Sequence, residues 1–119
     1  MFRPLVVLLL ALLSLTSLTA CGDGSDTATT DLPTKKIAIT FSGDTVTPNG
    51  DRVDVKIGQT VQLVVTADAA GEIHVHSDPE KELEYGKGTT VLELSFDHAG
   101  IIEVESHALE KTIVQLQVE

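Results

Sequence analysis

The pattern on which the fold prediction depends is clearest in residues 53–65, which read VDVKIGQTVQLVV. Apolar and polar side chains alternate from Val53 to Ile57, a Gly-Gln pair interrupts the alternation, and it resumes at Val61. A period of two is typical of a strand that buries one face, and the glycine in the interruption favours a turn. The stretch therefore predicts two β-strands whose apolar faces point towards a common core.

The same alternation recurs along most of the remaining chain. Further strands are predicted in residues 37–41, 72–77, 92–96, 101–105 and 113–118. Turn-forming pairs such as Asn49-Gly50 separate them, and residues 80–85 fit either a helical turn or a short edge strand. No window keeps a helical period. We therefore predict an all-β domain over residues 35–119, a sandwich of two antiparallel sheets with seven to eight strands.

The first 21 residues carry a different signal. Arg3 precedes nine uninterrupted apolar residues, Leu5–Leu13, which are too few for a membrane span of about 20 residues but fit a secretory signal peptide. The following Leu18-Thr19-Ala20-Cys21 resembles the lipobox of bacterial lipoproteins. That resemblance implies removal of residues 1–20, a lipid on the Cys21 thiol, and a protein anchored to the membrane outside the cytoplasm. A free cysteine behind an ordinary signal peptide is the alternative.

Residues 22–34 separate this signal from the predicted domain. They are rich in Gly, Ser, Thr and Asp, so we expect a flexible tether. The whole chain has 8 basic and 18 acidic residues, a formal charge of −10, and loss of Arg3 with the signal peptide makes it −11. Such an acidic surface argues against a nucleic-acid partner. The single cysteine excludes an internal disulfide, and we expect a monomer.

All four histidines follow residue 73, and three of them form a candidate metal site. His74 and His76 lie two residues apart on a predicted strand, so their imidazoles project from the same face. His107 follows another strand, and its imidazole would complete a set of three nitrogen ligands suited to Cu(II) or Zn(II). An ordinary pair of surface histidines explains His74 and His76 equally well. His98 sits in a turn, and we assign it no ligand role.

Two acidic features lie near these histidines. Glu105 and Glu110 could each add an oxygen ligand, although a chain with 18 acidic residues offers many such coincidences. The acidic run 78–84 is interpreted as a solvated loop or as a rim that attracts cations.

The order of strands, turns and histidines in residues 35–119 resembles that of a cupredoxin domain. The alternating stretch 53–65 is followed by a loop and a histidine, and later by a strand, a turn ending in Gly100 and two more strands. The resemblance implies a Greek-key sandwich with His74 at the first ligand position of a blue-copper site. It also places Ser106 where that site has a cysteine, and no methionine is available as the axial ligand. Type 1 electron transfer is therefore not expected.

These observations lead to two hypotheses for function. The first is a lipid-anchored protein of the cell envelope that binds copper as Cu(II), or zinc in second place, through His74, His76 and His107. The second is a metal-free sandwich that serves as an interaction module and has lost its metal site. No catalytic motif is present, and the adjacent Ser106 and His107 would point to opposite faces of a strand. We therefore do not expect an enzyme.

The lipobox predicts that the Cys21→Ser substitution moves the protein out of the membrane fraction. Without the thiol no lipid can be attached, and no other segment is apolar and long enough to hold a processed chain in a bilayer. Cell fractionation, with mass spectrometry of the N-terminus to locate the cleavage, measures the result. If a cleaved Cys21→Ser protein stayed in the membrane fraction, the lipoprotein interpretation would be wrong.

Overall fold

Alternating apolar side chains produce nine strands in the computed structural model, which describes residues 31–119. In chain order the strands are β1 (Lys35–Ser42), β2 (Thr45–Thr47), β3 (Asp51–Val55), β4 (Val61–Ala67), β5 (Gly71–Val75), β6 (Lys81–Tyr85), β7 (Gly88–Leu94), β8 (Gly100–Ser106) and β9 (Lys111–Val118). Within this part of the chain no helix is long and apolar enough to cross a membrane. The predicted signal peptide, Cys21 and residues 22–30 of the predicted tether lie outside the described residues.

The strands form two sheets, ordered β2-β1-β4-β7 and β3-β9-β8-β5-β6. The prediction of an all-β sandwich is confirmed, but the prediction that both sheets are antiparallel is wrong. β1 pairs in parallel with β4, and β3 pairs in parallel with β9. Parallel neighbours cannot be joined by a tight hairpin, so the chain crosses to the opposite sheet between the members of each pair.

Three local predictions are corrected or decided by the structure. β2 lies where no strand is predicted, and it buries only Val46, so it is too short for a period to show. Ile57 is predicted to continue the inward face of β3 but is 45% exposed. The reason is that β3 ends at Val55 and the chain then turns through Gly58, whose φ is +77°. Residues 81–85 form an edge strand, β6, and not a helical turn.

Both sheets contribute to one apolar core. Burial follows the strand period, as in β1, where Ile37, Ile39 and Phe41 are buried and the residues between them are exposed. The largest fully buried apolar side chains are Ile39, Leu63, Ile73, Ile113 and Leu116. Within this core Tyr85 of β6 stacks on Phe41 of β1, with ring centroids 4.8 Å apart. The edge strand β6 therefore also packs against the opposite sheet.

A β-bulge between β8 and β9 alters the end of the sheet where β8 finishes. Val104 pairs with Val114, but the next residue, Glu105, pairs with Thr112, so β9 carries one extra residue. As a result Ile113 and Val114 are both buried, whereas a regular strand would bury only one of them. A bulge increases the local twist. This one lies directly opposite Glu105, which belongs to the candidate site.

Gly71 at the start of β5 leaves no room for a side chain, which generates a stability prediction. A Cβ at this position would overlap the Tyr85 ring, at only 2.6 Å from its Cζ atom. Tyr85 is 9% exposed and is held against Phe41, so it cannot turn away without disturbing the core. Gly71→Ala should therefore lower the free energy of unfolding by about 1–3 kcal/mol, as measured by urea or thermal unfolding.

Gly86→Ala is the matched control, because a Cβ at Gly86 meets no atom within 4 Å. This variant should be as stable as the wild type or slightly more stable, since losing a glycine restricts the unfolded chain. Equal free energies of unfolding for the two alanine variants would contradict the steric role assigned to Gly71.

Candidate metal centre

Three imidazoles converge on the outer face of the five-stranded sheet. His74 lies in β5, His76 follows directly after β5, and His107 follows directly after β8. The His74 ring stacks on His76 with centroids 4.5 Å apart, and it meets His107 edge-on at 4.4 Å. One ring nitrogen from each histidine lies within 4.8 Å of those of the other two. The structure thus brings together the three histidines that the sequence analysis selects.

The alternation of β5 places His74 outside the core. Both of its neighbours in β5 are fully buried, so the side chain between them points to the opposite face. Across the sheet His74 is paired with Glu105 of β8, and directly paired residues project to the same side. His76 continues this face, because its backbone N–H still donates to the Glu103 carbonyl at 2.9 Å. The cluster therefore lies on the solvent side of the sheet and is not enclosed between the two sheets.

A tight turn after β8 brings His107 to the other two rings. Ser106 is 2% exposed, and its hydroxyl oxygen accepts a hydrogen bond from the Leu109 N–H at 3.4 Å. Glu110 adopts a left-handed backbone conformation, with φ of +53°, and its N–H donates to the His107 carbonyl. Leu109 packs against the core. The turn therefore holds the backbone of His107 in place, while its side chain remains 60% exposed.

Two glutamates join the imidazoles in a network of hydrogen bonds. Glu80, just before β6, accepts from His74 Nε2 at 3.1 Å and from His76 Nδ1 at 3.3 Å. Glu105 Oε2 lies 2.8 Å from His76 Nε2 and 3.6 Å from His107 Nε2. His74 Nδ1 lies 2.9 Å from His107 Nε2. The five side chains form one continuous polar cluster.

The two carboxylates determine where protons reside in the metal-free cluster. An ionised carboxylate only accepts hydrogen bonds, so His74 donates from Nε2 to Glu80. His76 faces a carboxylate with both nitrogens and satisfies both only as the doubly protonated imidazolium. Accordingly the hydrogen bond to Glu105 raises the pKa of His76 above 6.5, although desolvation opposes the shift. Hydrogen bonds from His74 and then His76 lower the pKa of Glu80, and the bond from His76 lowers that of Glu105.

His98 and Glu110 stay outside the cluster. His98 lies in the turn between β7 and β8, where its Nδ1 bonds to Asp97 Oδ1 at 2.6 Å. It borders a surface groove that His76 also lines, but it is not one of the converging imidazoles. Glu110 borders an open groove beside His107 and makes none of the hydrogen bonds that the structure shows within the cluster. Of the two oxygen donors that the sequence suggests, only Glu105 reaches the histidines.

Glu80 is the member of the cluster that the sequence analysis does not identify. It belongs to the acidic run 78–84, which is interpreted only as a solvated loop or a rim that attracts cations. The loop after β5 folds back so that Glu80 reaches both His74 and His76. A separation of four residues carries a structural signal in a helix but none in a loop, so no sequence pattern pointed to this contact.

The face around the cluster is strongly acidic. The side chains that share it on β5, β6 and β8 include no Lys or Arg, and five of them are glutamates: Glu72, Glu82, Glu84, Glu103 and Glu105. Glu72 and Glu84 are directly paired, although like charges opposite each other destabilise a sheet. The field of these carboxylates raises the local concentration of cations.

Comparisons with known proteins relate the sandwich to solved structures alone, since no protein-family model and no curated protein matches the chain. The purple cupredoxin from Nitrosopumilus maritimus is 16% identical, with a TM-score of 0.52 over 71% of this chain and 99% of that one. The metal-binding domain of the Cu(I)-exporting P-type ATPase CopA of Streptococcus pneumoniae is 13% identical, with a TM-score of 0.55 over 72% and 86%. A reduced amicyanin variant is 14% identical, with a TM-score of 0.54 over 76% and 88%.

These likenesses establish the fold. The chain has a cupredoxin-like fold, an all-β sandwich of two sheets, as the resemblance in residues 35–119 implies. Identities this low support the fold and not a function, so the function has to be argued from the cluster itself.

The structure separates the two positions that the resemblance would join in a blue-copper site. Ser106 points into the core, two residues after the inward-facing Val104. His74 points outward, in register with Glu105. Side chains on opposite faces of one sheet cannot share an ion. The three-histidine cluster is therefore a different centre from one built around a ligand at position 106.

The raised pKa of His76 predicts a pH dependence for the stability of the metal-free protein. Its pKa is raised above 6.5, so its ion pairs stabilise the fold fully below that pH and lose their effect as the pH rises through the folded-state pKa. Glu80 and Glu105 have a pKa lowered from 4.5, so they contribute above that pH and lose their effect as the pH falls. The contribution of the cluster should be largest between about pH 4.5 and 6.5.

Thermal unfolding in the presence of a chelator tests this prediction. Between about pH 5.5 and about pH 8 the wild type should lose more stability than His76→Gln, because glutamine does not titrate. The difference should shrink at high salt, since the His76 side chain is 35% exposed. His98→Gln is the control and should follow the wild type, because its pair with Asp97 is exposed. Parallel pH profiles for the wild type and His76→Gln would contradict the assigned protonation.

Proposed function

We propose that this protein binds a divalent transition metal, Cu(II) first and Zn(II) second, through His74, His76 and His107. It does so in the cell envelope, as a lipoprotein anchored through Cys21. It acts neither as an enzyme nor as a type 1 electron carrier. The observation that carries the proposal is the convergence of three ring nitrogens within 4.8 Å of one another.

The donor set fits such an ion. Imidazole nitrogens bind Zn(II) at about 2.0–2.1 Å, so two nitrogens on one tetrahedral ion are about 3.3 Å apart. The largest spacing in the cluster is 4.8 Å, and small rotations of the exposed His107 and the partly exposed His76 would close it. Imidazole is also a preferred ligand of Cu(II). The residues present therefore suit the proposed metals.

Glu80 supports the ligands from outside the centre. Metal-bound histidines commonly donate their other N–H to a carboxylate, which sets the tautomer and the ring orientation. Glu80 is placed to do this for two ligands, because it accepts from His74 Nε2 and His76 Nδ1. The opposite nitrogens, His74 Nδ1 and His76 Nε2, remain on the side of His107. An ion would displace the proton from His76 Nε2, so binding should weaken as the pH falls.

The available donors favour metal binding without electron transfer. Residues 31–119 contain no Cys and no Met, so the described part of the chain has no sulfur ligand. Blue-copper sites depend on a cysteine thiolate and a weak axial ligand. Copper is nevertheless the metal held by similar structures, since the CopA domain and an amicyanin variant each contain Cu(I). This supports copper as the metal, and the nitrogen and oxygen donors support its divalent state.

The position of the cluster suits a tethered protein. The chain enters the sandwich near the start of β4, where the buried Gln59 side chain donates to the Pro33 carbonyl at 2.7 Å. β7 is antiparallel to β4 and finishes at that end, and β8 then runs away from it towards His107. The 7 residues of β8 cover about 20 Å. An anchor on Cys21 would therefore join the sandwich at the end opposite His107.

A metal-free interaction module is the second candidate, and one observation favours it. His74 and His76 already have hydrogen-bond partners for both ring nitrogens, so the cluster is satisfied without an ion. In that case the five side chains would be a structural polar network, and metal would not stabilise the fold.

Metal titration separates the two candidates. Cu(II) should raise the melting temperature of the metal-free wild type, since a ligand at a hundredfold excess over its Kd stabilises the folded state by about 2.7 kcal/mol. His74→Ala and His107→Ala should each lose most of this rise, because each removes one nitrogen ligand. Scanning calorimetry with Cu(II) and then Zn(II) measures the effect. The Cu(II) complex should also lack the intense visible absorption that a copper–thiolate bond produces.

His98→Ala is the matched control and should keep the full rise, because His98 is outside the cluster. The measurement is best made with Cys21 lipidated or replaced by serine, so that no free thiol competes for copper. No stabilisation of the wild type, His74→Ala or His107→Ala would favour the metal-free module, and equal stabilisation of all three would show that the metal binds outside this cluster.

A further inference from the structure

We propose that Glu105 is a fourth ligand, and that the three histidines and this carboxylate form a four-coordinate centre that selects divalent cations over Cu(I). The inference rests on the metal binding proposed above and assigns the selectivity of that site. It comes from the position of one carboxylate oxygen among the ring nitrogens.

Three spacings within the cluster are close to those of a ligand shell. Glu105 Oε2 lies 2.8 Å from His76 Nε2 and 3.6 Å from His107 Nε2, and the latter lies 2.9 Å from His74 Nδ1. These contacts link four donor atoms, one from each residue. Donors bound to one tetrahedral ion at about 2.0–2.1 Å are about 3.3 Å apart. The three observed spacings lie on either side of this value.

Glu105 and Glu80 contact different nitrogens of the one ring that they share, His76. Glu80 accepts from the nitrogens that point away from His107, whereas Glu105 faces Nε2 of His76, the nitrogen that Glu80 leaves free. Glu105 also lies within β8, paired with His74 on one side and with Thr112 at the bulge on the other, and its side chain is 25% exposed. Glu80 is in a loop and 60% exposed. The strand therefore positions Glu105 as a ligand. The loop positions Glu80 as a hydrogen-bond acceptor for the ring nitrogens that would not bind the ion.

A carboxylate oxygen changes which ion the cluster prefers. Oxygen donors suit harder ions, whereas Cu(I) is selected by soft sulfur ligands. The negative charge of Glu105 also compensates a divalent ion more strongly than a monovalent one, because the attraction scales with the charge. With four protein ligands the shell is closed, as in sites that hold a metal, whereas catalytic sites keep a position open. A centre of this kind holds a divalent ion without exposing it to a substrate.

Glu82 provides a control of the same charge at a matched position. It is paired with His74 from β6, just as Glu105 is paired with His74 from β8. Among the hydrogen bonds and ion pairs of the described residues, none joins Glu82 to the histidines. Replacing either glutamate removes one negative charge beside the same histidine, but only the Glu105 substitution removes a donor atom.

The test compares Glu105→Gln with Glu82→Gln in the full chain, each carrying Cys21→Ser so that no thiol binds copper. Competition titrations give the affinity for Zn(II), Cu(II) and, under reducing conditions, Cu(I). Loss of even an outer partner of a metal ligand weakens binding about 10–100-fold, so Glu105→Gln should weaken Zn(II) and Cu(II) binding by at least about tenfold. Glu82→Gln should have only the small effect of one lost charge. Cu(I) affinity should change equally little in both variants, and the electron paramagnetic resonance spectrum of bound Cu(II) should change only in Glu105→Gln.

Each outcome bears on a different part of the proposal. Equal affinities in the two variants would show that Glu105 is not a ligand and would leave the three-histidine site standing. Equal losses for all three ions in Glu105→Gln would overturn the selectivity. A wild type that binds none of them would remove the proposed function itself. If Glu105→Gln does not fold, Glu105→Asp keeps the charge but withdraws the oxygen by one methylene, and it should show the same preferential loss of Zn(II) and Cu(II) binding.

Discussion

The antiparallel contact between β5 and β8 is the interaction on which the candidate centre depends. Two residue pairs define it, His74 with Glu105 and Val75 with Val104. Both valines are fully buried, and a shift of one residue would expose them and turn His74 into the core. Burial of the apolar face therefore sets the positions of the polar side chains on the other face. The imidazoles and the carboxylate are aligned by the core beneath them, so the site can be solvent-accessible and still well positioned.

The acidic face carries a cost that a cation would offset. Glu72 and Glu84 are paired although both are negative, and His76 is held between two carboxylates that it satisfies only when it is protonated. In the metal-free protein the proton on His76 supplies the compensating positive charge. A divalent ion would supply more charge at the same place and would take the nitrogen that the proton occupies. Proton and metal would thus compete for one cluster, and the two would give opposite pH dependences of stability.

The cupredoxin-like fold here positions a nitrogen-rich cluster on the side of the sheet away from the core. The cupredoxin resemblance in the sequence places Ser106 where a blue-copper site has a cysteine. In the structure its hydroxyl accepts from the Leu109 N–H within the turn that carries His107. This residue therefore supports the backbone of His107 and points away from the cluster. The same β8 strand presents Ser106 inward and Glu105 outward, so one face packs in the core and the other contributes to the histidine cluster. A fold does not determine a site. In this protein the buried side chains that stabilise the fold lie on one face of the five-stranded sheet, and the histidine cluster lies on the other.

Local sequence patterns are sufficient to predict where a single strand forms and to which face its side chains point. Alternation in residues 53–65 predicted strands with one buried face, and the same period placed His74 and His76 together, because side-chain direction follows from the backbone alone. The parallel pairing of β3 with β9 could not be predicted in this way, since it depends on contacts between residues far apart in the chain. Local patterns also name Glu105 only as one of two possible oxygen ligands, and they do not single out Glu80. The sequence contains 18 acidic residues, and only the folded loop after β5 and the register of β5 against β8 decided which two of them reach the histidines.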